Sequence, residues 1–400
     1  NTLTTNLRTW SQDNFGEDLI FNPHNGGIYY FDRSASYPSF DRAVAINDLA
    51  GSSGAPTVAK QVLVSDRDRH VIAFGCDPVD AIGTQDPMLI RFSDQENVAD
   101  WTPTATNTAG DLRLGSGSEI VSAYETRQQM LVFTDTALYA MQYLGPPFTF
   151  GINLISENTS VQGVNSGVAV DDMVFWMGRT EFYMYNGSVQ RIPCSVRSYV
   201  FDDFNFNQGE KVFAGLNSAH SEVWWFYPSA SNNNIDRYVV YNYAEQSWYY
   251  GTLARSAWVD RGAFENPLAA GLDGYLYEHE VGFDDGSTAP ASAIDSFVQS
   301  SPIDIGDGEQ FSLIRRVLPD IGFENSTAES PSADVTLSVA NQTGGSYLRS
   351  ATGTFFNNDR NQLDFRLRGR QFSLKVSSDE VGTTWRLGSP RVDMRPDGRR

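Results

Sequence analysis

The chain has 400 residues, 13% of them aromatic, and a formal net charge of −20 at pH 7. This length is sufficient for one large all-β domain together with a smaller one. Lys and Arg are too scarce for nucleic acid to be held through phosphate contacts, because those side chains drive such binding. No apolar run approaches the length of a bilayer span, and no basic segment followed by an apolar core opens the chain, so no membrane-spanning segment is predicted.

The acidic charge lies in one part of the chain. The whole chain has 29 Lys+Arg and 49 Asp+Glu, whereas residues 301–400 have 13 of each, which leaves 16 basic and 36 acidic side chains in residues 1–300. Such a change in composition favours a domain boundary at about residue 290. We therefore predict one domain over residues 1–290 and a second over residues 291–400.

A strand–turn–strand phrase rich in Tyr and Phe recurs six times in the first domain. Successive copies begin 43 to 59 residues apart, at Leu19, Val71, Met130, Met173, Val223 and Pro267. Four-stranded blades of a β-propeller have this spacing, since each blade buries its apolar faces only against its neighbours. The pattern predicts an all-β chain that begins with a six-bladed β-propeller-like domain.

Short turn signals separate the strands, and three longer polar segments interrupt them. Asn25–Gly26–Gly27 is a strong turn signal between the strands predicted at residues 19–21 and 28–31. The longer segments are predicted to be loops, and they cover residues 77–87, 199–209 and 229–236.

A second pattern follows residues 282–301, whose Asp, Gly, Ser, Ala and Pro predict a linker. Apolar and polar residues then alternate over five segments, as is typical of a compact sandwich. The five segments cover residues 311–323, 334–340, 361–367, 371–376 and 385–392. We predict a small C-terminal β-sandwich.

No motif with a defined catalytic chemistry is present. The four histidines are far apart in sequence, and the two cysteines, Cys76 and Cys194, have no metal-binding spacing and are expected to be small buried side chains. Adjacent acids such as Asp171–Asp172 are more often solvated turn residues than Ca²⁺ ligands or glycosidase carboxylates. We predict no catalytic residue, no metal and no cofactor, and therefore no enzymatic activity.

Sialidases are six-bladed propellers, so a six-bladed pattern is also compatible with a glycan-directed function. The segment from Ser93 to Trp101 has Ser, Asp and Trp in the order of that family's Asp-box but not its spacing. The aromatic runs at residues 224–227 and 248–250 suit sugar stacking, although strand alternation sends half of each run into the core. A glycan-binding or glycan-cleaving propeller that recognises a host receptor remains the alternative.

Three phrases carry a resemblance to a known family: LRTWSQDNFGEDLIFNPHNGGIYYFD from Leu7, IRFSDQENVADWTP from Ile90, and RLGSPRVDMRPDGRR from Arg386. Together they resemble the tail tubular protein B, or nozzle, family of short-tailed bacteriophages and the related packaged-DNA-stabilisation proteins. The resemblance extends over most of the chain, and its phrases contain no catalytic residues.

This resemblance implies a structural virion protein that is assembled in the host cytoplasm and located in the phage tail. It implies a homo-hexameric ring below the portal and adaptor, with tail fibres or spikes as further partners. In such a ring the chain would extend the DNA ejection channel and retain or release the genome, while viral double-stranded DNA passes without specific binding.

The acidic composition suits that role, because acidic walls repel phosphates and let DNA slide. Net charge of this size also serves simply to keep a subunit soluble before assembly. The candidate channel or contact-loop residues are acids of the three long loops: Asp77, Asp80, Asp86, Asp202, Asp203 and Asp236. A monomeric propeller scaffold, which would not self-associate, is a third possibility.

Overall fold

Antiparallel strands provide most of the regular structure of this all-β chain. The structure is a computed structural model that describes residues 8–34, 42–305, 308–356 and 361–398. Contacts divide the chain into two compact units, Asn1–His279 and Glu280–Arg400. The helical segments are short: α1 (Arg197–Asp202) and the 3-10 turns Ile46–Asp48 and Phe206–Lys211. Within the described ranges, none is long and apolar enough to cross a membrane.

The first unit is a series of antiparallel sheets, each built from consecutive strands. Sheet 1 comprises β1 (Trp10–Phe15), β2 (Asp18–Pro23), β3 (Tyr29–Phe31) and β4 (Val44–Ala45). Sheet 2 comprises β5 (Gln61–Val64), β6 (Val71–Phe74), β7 (Leu89–Phe92) and β8 (Gly110–Arg113). Sheet 3 comprises β9 (Ile120–Glu125), β10 (Met130–Thr134), β11 (Ala137–Gly145) and β12 (Thr149–Glu157).

The remaining sheets of this unit continue the pattern. Sheet 4 comprises β13 (Gly167–Val170), β14 (Met173–Met177), β15 (Phe182–Tyr185) and β16 (Val189–Ile192). Sheet 5 comprises β17 (Phe213–Asn217), β18 (Glu222–Tyr227), β19 (Arg237–Asn242) and β20 (Ser247–Thr252). Sheet 6 has three strands in the described part of the chain: β21 (Arg255–Val259), β22 (Leu268–Gly271) and β23 (Leu276–Glu278). The predicted all-β class is confirmed, and the unit is propeller-like in its repeated four-stranded sheets.

A separate apolar core fills the space between each two successive sheets of the series. The run Val71–Phe74 shows how the sequence achieves this. Its side chains alternate, so Val71 and Ala73 enter the core between sheets 1 and 2, whereas Ile72 and Phe74 enter the core between sheets 2 and 3. Strands buried on both faces therefore have continuous apolar runs, which is why the repeats are visible in the sequence.

The first predicted turn is confirmed, but the strand before it escaped prediction. β2 pairs with β3 across a turn in which Asn25 has a φ of 57°, and a Cβ on Gly26 would lie 2.6 Å from the ring of Pro23. β1 precedes this hairpin and pairs along its whole length with β2. Its sequence, WSQDNF, has four consecutive polar residues and lacks the apolar run that marks the other strands.

The second unit contains two larger sheets whose side chains share one core. Its strands are β24 (Asp284–Asp285), β25 (Ser292–Ala293), β26 (Ser296–Gln299), β27 (Ile303–Asp304), β28 (Ser312–Leu318), β29 (Ile321–Gly322), β30 (Ser332–Ala340), β31 (Arg349–Phe356), β32 (Leu363–Gly369), β33 (Gln371–Ser378), β34 (Arg386–Leu387) and β35 (Arg391–Pro396). One sheet has the order β26–β33–β30–β31, with β27 also paired to β33, and the other has the order β32–β28–β35. Val335, Phe372 and Ile314 exemplify the core that both sheets contribute to.

The prediction of a linker over residues 282–301 is wrong. This segment contains β24 and β25, which pair with each other, and β26, which pairs with β33. The carboxylate of Asp284 also accepts hydrogen bonds from the backbone N–H of Gly382 at 2.8 and 3.0 Å. Small and polar residues suit a flexible linker by composition, but here long-range pairing determines their conformation.

Candidate functional site

The first strand of each sheet in the first unit, here called the inner strand, lies beside the inner strand of the next sheet. Side chains satisfy the backbone groups along these strand edges, which would otherwise be unpaired. Ser11 Oγ accepts from the N–H of Val62 at 2.9 Å, and Asp13 accepts from the N–H of Val64 at 2.8 Å. The amide of Gln61 binds both the N–H and the carbonyl of Ala123, each at 2.8 Å.

The same type of contact joins the later sheets. The Tyr124 hydroxyl donates to the carbonyl of Val164 at 2.8 Å and accepts from the N–H of Gly167 at 2.9 Å. The indole of Trp258 donates to the carbonyl of Leu216 at 2.9 Å.

Residue numbers increase in the same direction along both strands of a contacting pair, as in Ser11 to Val62 followed by Asp13 to Val64. Neighbouring inner strands therefore run parallel. The turns that follow the inner strands, residues 16–17, 65–70 and 126–129 among them, therefore share one end of the unit, which we call the turn end. The loops between second and third strands, and the connections between sheets, share the opposite end, which we call the loop end.

Four acidic side chains converge at the turn end of sheets 1 to 3: Asp13, Asp66, Asp68 and Glu125. Glu125 ends β9 and its Oε1 accepts from the N–H of Asp66 at 3.0 Å. Burial is the main cause that raises the pKa of Glu125 to about 8, and repulsion from the other three acids adds to it. Burial likewise raises the pKa of Asp13, with a smaller contribution from the charge of Asp66.

A cleft borders this acidic cluster. Its lining combines both charge signs with amide and aromatic side chains, among them Arg67, Asp68, Glu125, Gln128 and Tyr143. Across the described ranges, no group of three or more His, Cys, Asp or Glu side chains is arranged to hold a metal ion. The cleft is thus lined by charged and amide side chains together with the apolar side chains of Met130, Met141 and Phe150.

The three loops predicted from sequence all leave the sheets at the loop end. Residues 77–87 connect the second and third strands of sheet 2, residues 229–236 do the same in sheet 5, and residues 199–209 connect sheet 4 to sheet 5. The six predicted acids thus lie at the end opposite the acidic cluster.

Asp77 is an internal anchor of its loop, because its side chain is fully buried. Its carboxylate accepts from the N–H and hydroxyl of Thr57 at 2.9 and 2.6 Å and from the N–H of Gly83 at 2.7 Å. Burial opposes ionisation, but the hydrogen bonds outweigh it and lower the pKa of Asp77. In the same loop Asp80 is exposed, whereas Asp86 binds Arg113 at 2.7 Å and the N–H of Met88 at 3.0 Å.

The other three predicted acids lie on two loops that bind each other. The carbonyl of Asp203 accepts from the N–H of Ala230 at 2.7 Å, and its carboxylate lies 3.4 Å from Arg237. Asp236 accepts from the N–H and hydroxyl of Ser229 at 2.7 and 2.8 Å, which shapes its own loop. Asp202 is exposed. We call the joined loops, residues 199–209 and 229–236, the loop clasp.

Sequence reasoning missed the acidic cluster of the turn end. None of its members, Asp13, Asp66, Asp68 and Glu125, is among the candidate residues predicted from the sequence. The sequence offered no signal for it, because Ser11 and Asp13 stand in an unbroken polar run, and only the structure shows that both side chains bind the backbone edge of the next sheet.

Comparisons with known proteins identify no family for the chain. No family model matches, and no curated protein matches. Among solved structures, Kluyvelomyces marxianus Hsv2 is similar with a TM-score of 0.39 and 8% identity over 67% of this chain and 71% of Hsv2. PorZ of Porphyromonas gingivalis, a component of the type-IX secretion system, is similar with a TM-score of 0.40 and 9% identity over 96% of this chain and 51% of PorZ.

A chain from the S. cerevisiae complex of Dbp5 with Nup159 and Gle1 gives a TM-score of 0.41 and 6% identity over 68% of this chain and 75% of that one. This chain spans about half the length of PorZ. At these scores and identities the similarities assign neither family nor function.

Proposed function

We propose that the chain is a structural subunit of a bacteriophage tail nozzle, which forms a ring and extends the DNA ejection channel below the portal and adaptor. In this proposal the six sheets of the first unit are six propeller blades, and the second unit is a small β-sandwich. The tail-family phrases beginning at Leu7, Ile90 and Arg386 support the assignment. The subunit acts through its geometry and has no enzymatic activity.

The placement of acidic charge is the observation that carries this proposal. Asp13, Asp66 and Asp68 gather at one end of the inner strands, beside Glu125, whose raised pKa of about 8 leaves it uncharged at pH 7. The first 300 residues have 36 acidic side chains against 16 basic ones. A wall of this sign repels phosphates and offers few Lys or Arg side chains from which counterion release would give affinity. DNA therefore slides along it without lodging.

The loop end supplies the contacts with neighbouring proteins in this proposal. The loop clasp is stiffened by a backbone hydrogen bond between residues 199–209 and 229–236, from the N–H of Ala230 to the carbonyl of Asp203 at 2.7 Å, and by a bond from the N–H of Asn205 to the carbonyl of the adjoining Pro228 at 3.1 Å. Rigid loops lose little conformational entropy on binding and so suit a permanent joint with the adaptor. Release of such contacts on host binding would open the path for DNA.

Imaging with an adaptor tests the proposal. The purified chain is mixed with a candidate adaptor ring and examined by mass photometry and negative-stain microscopy. The proposal predicts particles in which a second ring with a central hole continues the adaptor ring. If the chain adds no density to the adaptor and remains at 44.3 kDa, the nozzle assignment is rejected.

A glycan-binding propeller is the second candidate, and the cleft at the turn end is the observation that favours it. The cleft combines Arg67, Asp68 and Gln128 with the protonated Glu125, all of which form hydrogen bonds with sugars readily. Of the two aromatic runs weighed for sugar stacking, the run at residues 224–227 is unsuitable, because Trp224 is 8% exposed and Trp225 is fully buried. A glycan array tests this candidate, with Asp68→Asn as the variant that should lose any signal.

A further inference from the structure

The sequence contains two Asn–Gly pairs, Asn25–Gly26 and Asn186–Gly187. Each lies between two paired strands, the first between β2 and β3 and the second between β15 and β16. In such a pair the backbone nitrogen of the glycine can attack the side-chain amide carbon of the asparagine, because no Cβ obstructs the approach. The surroundings of the amide carbon and of the glycine nitrogen therefore determine which pair reacts.

The side-chain carbonyls of the two asparagines have equivalent partners. Gln85 Nε2 donates to Asn25 Oδ1 at 3.1 Å, and Gln190 Nε2 donates to Asn186 Oδ1 at 3.1 Å. A donor at this oxygen polarises the carbonyl and stabilises the negative charge that develops on it during attack. Both amide carbons are therefore prepared to accept a nucleophile, and any difference in reactivity comes from the glycine.

The backbone of Gly26 is held on both sides. Its N–H donates to the carbonyl of Pro23 at 2.8 Å, and its own carbonyl accepts from the N–H of Ala59 at 2.9 Å. The ring of Pro23 also crowds the glycine, since a Cβ there would lie 2.6 Å from it. The nitrogen of Gly26 would have to give up its hydrogen bond and move before it could attack Asn25, so the fold protects this pair.

The backbone nitrogen of Gly187 is free of such contacts. Among the described residues, no hydrogen-bond acceptor engages its N–H. Both Asn186 and Gly187 are exposed, and a Cβ built on Gly187 would have open space around it. The φ of Gly187 is 100°, a conformation that glycine adopts without strain. Solvent hydroxide can therefore remove the proton of this nitrogen, which can then rotate towards the amide carbon of Asn186.

We propose that Asn186 is a site of deamidation in the folded chain, with Gly187 as the nucleophile and Gln190 as a positioning residue. The nitrogen of Gly187 forms a bond to Cγ of Asn186, the bond from Cγ to Nδ2 breaks, and the amide nitrogen leaves as ammonia with the proton of Gly187. Water then opens the five-membered imide at one of its two carbonyl carbons and gives aspartate or isoaspartate. The net reaction hydrolyses an amide to a carboxylate and needs no oxidant.

The reaction changes the charge of the turn end. The four strands of sheet 4 are antiparallel in sequence order, so β15 runs in the same direction as the inner strand β13 and ends at the turn end. Deamidation of Asn186 therefore adds a negative charge to the end that already has Asp13, Asp66 and Asp68. The isoaspartate form also lengthens the main chain of the turn by a methylene group. This inference does not depend on the nozzle assignment.

Timed peptide mapping of the whole chain tests this site. The folded protein is incubated at pH 8, quenched at mildly acidic pH and digested briefly with trypsin. The peptides of residues 9–33 and 180–191 are then followed by mass spectrometry, with isoaspartyl methyltransferase as a second readout. Asn186 should react about tenfold faster than Asn25, a ratio equivalent to about 1.4 kcal/mol, which is the order of one backbone hydrogen bond. In urea the two rates should converge, because unfolding frees Gly26.

Two variants test the role of Gln190. Gln190→Leu removes the donor to Asn186, whereas Ser188→Ala removes only the other acceptor of the same amide, at 3.3 Å. Gln190→Leu should slow deamidation several-fold in the folded chain and have no effect in urea, and Ser188→Ala should leave the rate unchanged. Equal slowing by both variants rejects the positioning role. Equal rates for Asn186 and Asn25 in the folded chain, or a difference that persists in urea, overturn the proposal.

Discussion

Glu125 Oε1 accepts a hydrogen bond from the backbone N–H of Asp66 at 3.0 Å and so connects the inner strand of sheet 3 to the first turn of sheet 2. Asp13, from sheet 1, and Asp68 repel the charged form of Glu125 across the same junction. Three sheets thus meet at a carboxyl group that retains its proton in neutral solution.

The stability of the folded chain should depend on pH through Glu125. Folding raises the pKa of Glu125 from 4.5 to about 8, so the folded chain binds more protons than the unfolded chain between these values. The contribution of Glu125 to stability is therefore full below pH 4.5 and is lost as the pH rises to about 8. Glu125→Gln should raise the thermal midpoint at pH 9 and have a much smaller effect at pH 4. Glu17→Gln, at a side chain that is 83% exposed, is the control. An equal effect of Glu125→Gln at both pH values would contradict this.

The second prediction concerns the anchor of the 77–87 loop. Asp77→Ala removes the acceptor for Thr57 and Gly83, and unpaired buried groups of this kind cost about 1–3 kcal/mol. Urea unfolding should show a decrease of that size in the free energy of unfolding. Asp80→Ala, at an exposed position in the same loop, should change stability by less than about 0.5 kcal/mol. Equal losses from the two variants would show that Asp77 does not anchor the loop.

The third prediction compares two tryptophans. Trp225 is fully buried between sheets 4 and 5, and its indole donates to the carbonyl of Ser166 at 3.0 Å. Trp225→Ala should destabilise the monomer by about 3–5 kcal/mol, as cavity-forming changes do. Trp10→Ala should lower the free energy of unfolding of the monomer by less than about 1 kcal/mol, because Trp10 is 52% exposed. A large loss from Trp10→Ala at low protein concentration would show that the same chain covers sheet 1.

The fourth prediction concerns the loop clasp. Asp236→Ala removes the acceptor that holds Ser229 and so frees residues 229–236. Limited trypsin digestion should then cleave several-fold faster after Arg237 or Lys211, which flank the clasp. Asp202→Ala, at an exposed helix residue, should leave the digestion rate unchanged. Unchanged cleavage of Asp236→Ala would mean that the remaining contacts, such as Ala230 to Asp203, hold the clasp alone.

The elements that could be predicted from the sequence are those whose conformation depends mainly on neighbouring residues. Runs such as Val71–Phe74 predicted strands because both of their faces are buried, and the turn at Asn25 was predicted because its backbone needs those residue types. β1 was missed because its polar side chains bind the next sheet and so imitate an exposed loop.

The acidic cluster depends on packing and was not predictable from spacing. Asp13, Asp66 and Glu125 are separated by more than fifty residues at each step, and only the parallel order of the inner strands brings them together. Likewise, the burial of Asp77 and the exposure of Asp80 differ within four residues because one side chain turns inward to Thr57. Composition alone does not separate an anchor from a surface acid.

The mass and shape of the assembled protein test the central claim most directly. Mass photometry over a concentration series, followed by negative-stain class averages, gives both quantities for the chain alone. A nozzle subunit should give a mass that is a fixed multiple of 44.3 kDa and a ring with a central hole. A single species at 44.3 kDa throughout the series would contradict it, and a compact oligomer without a hole would exclude a channel.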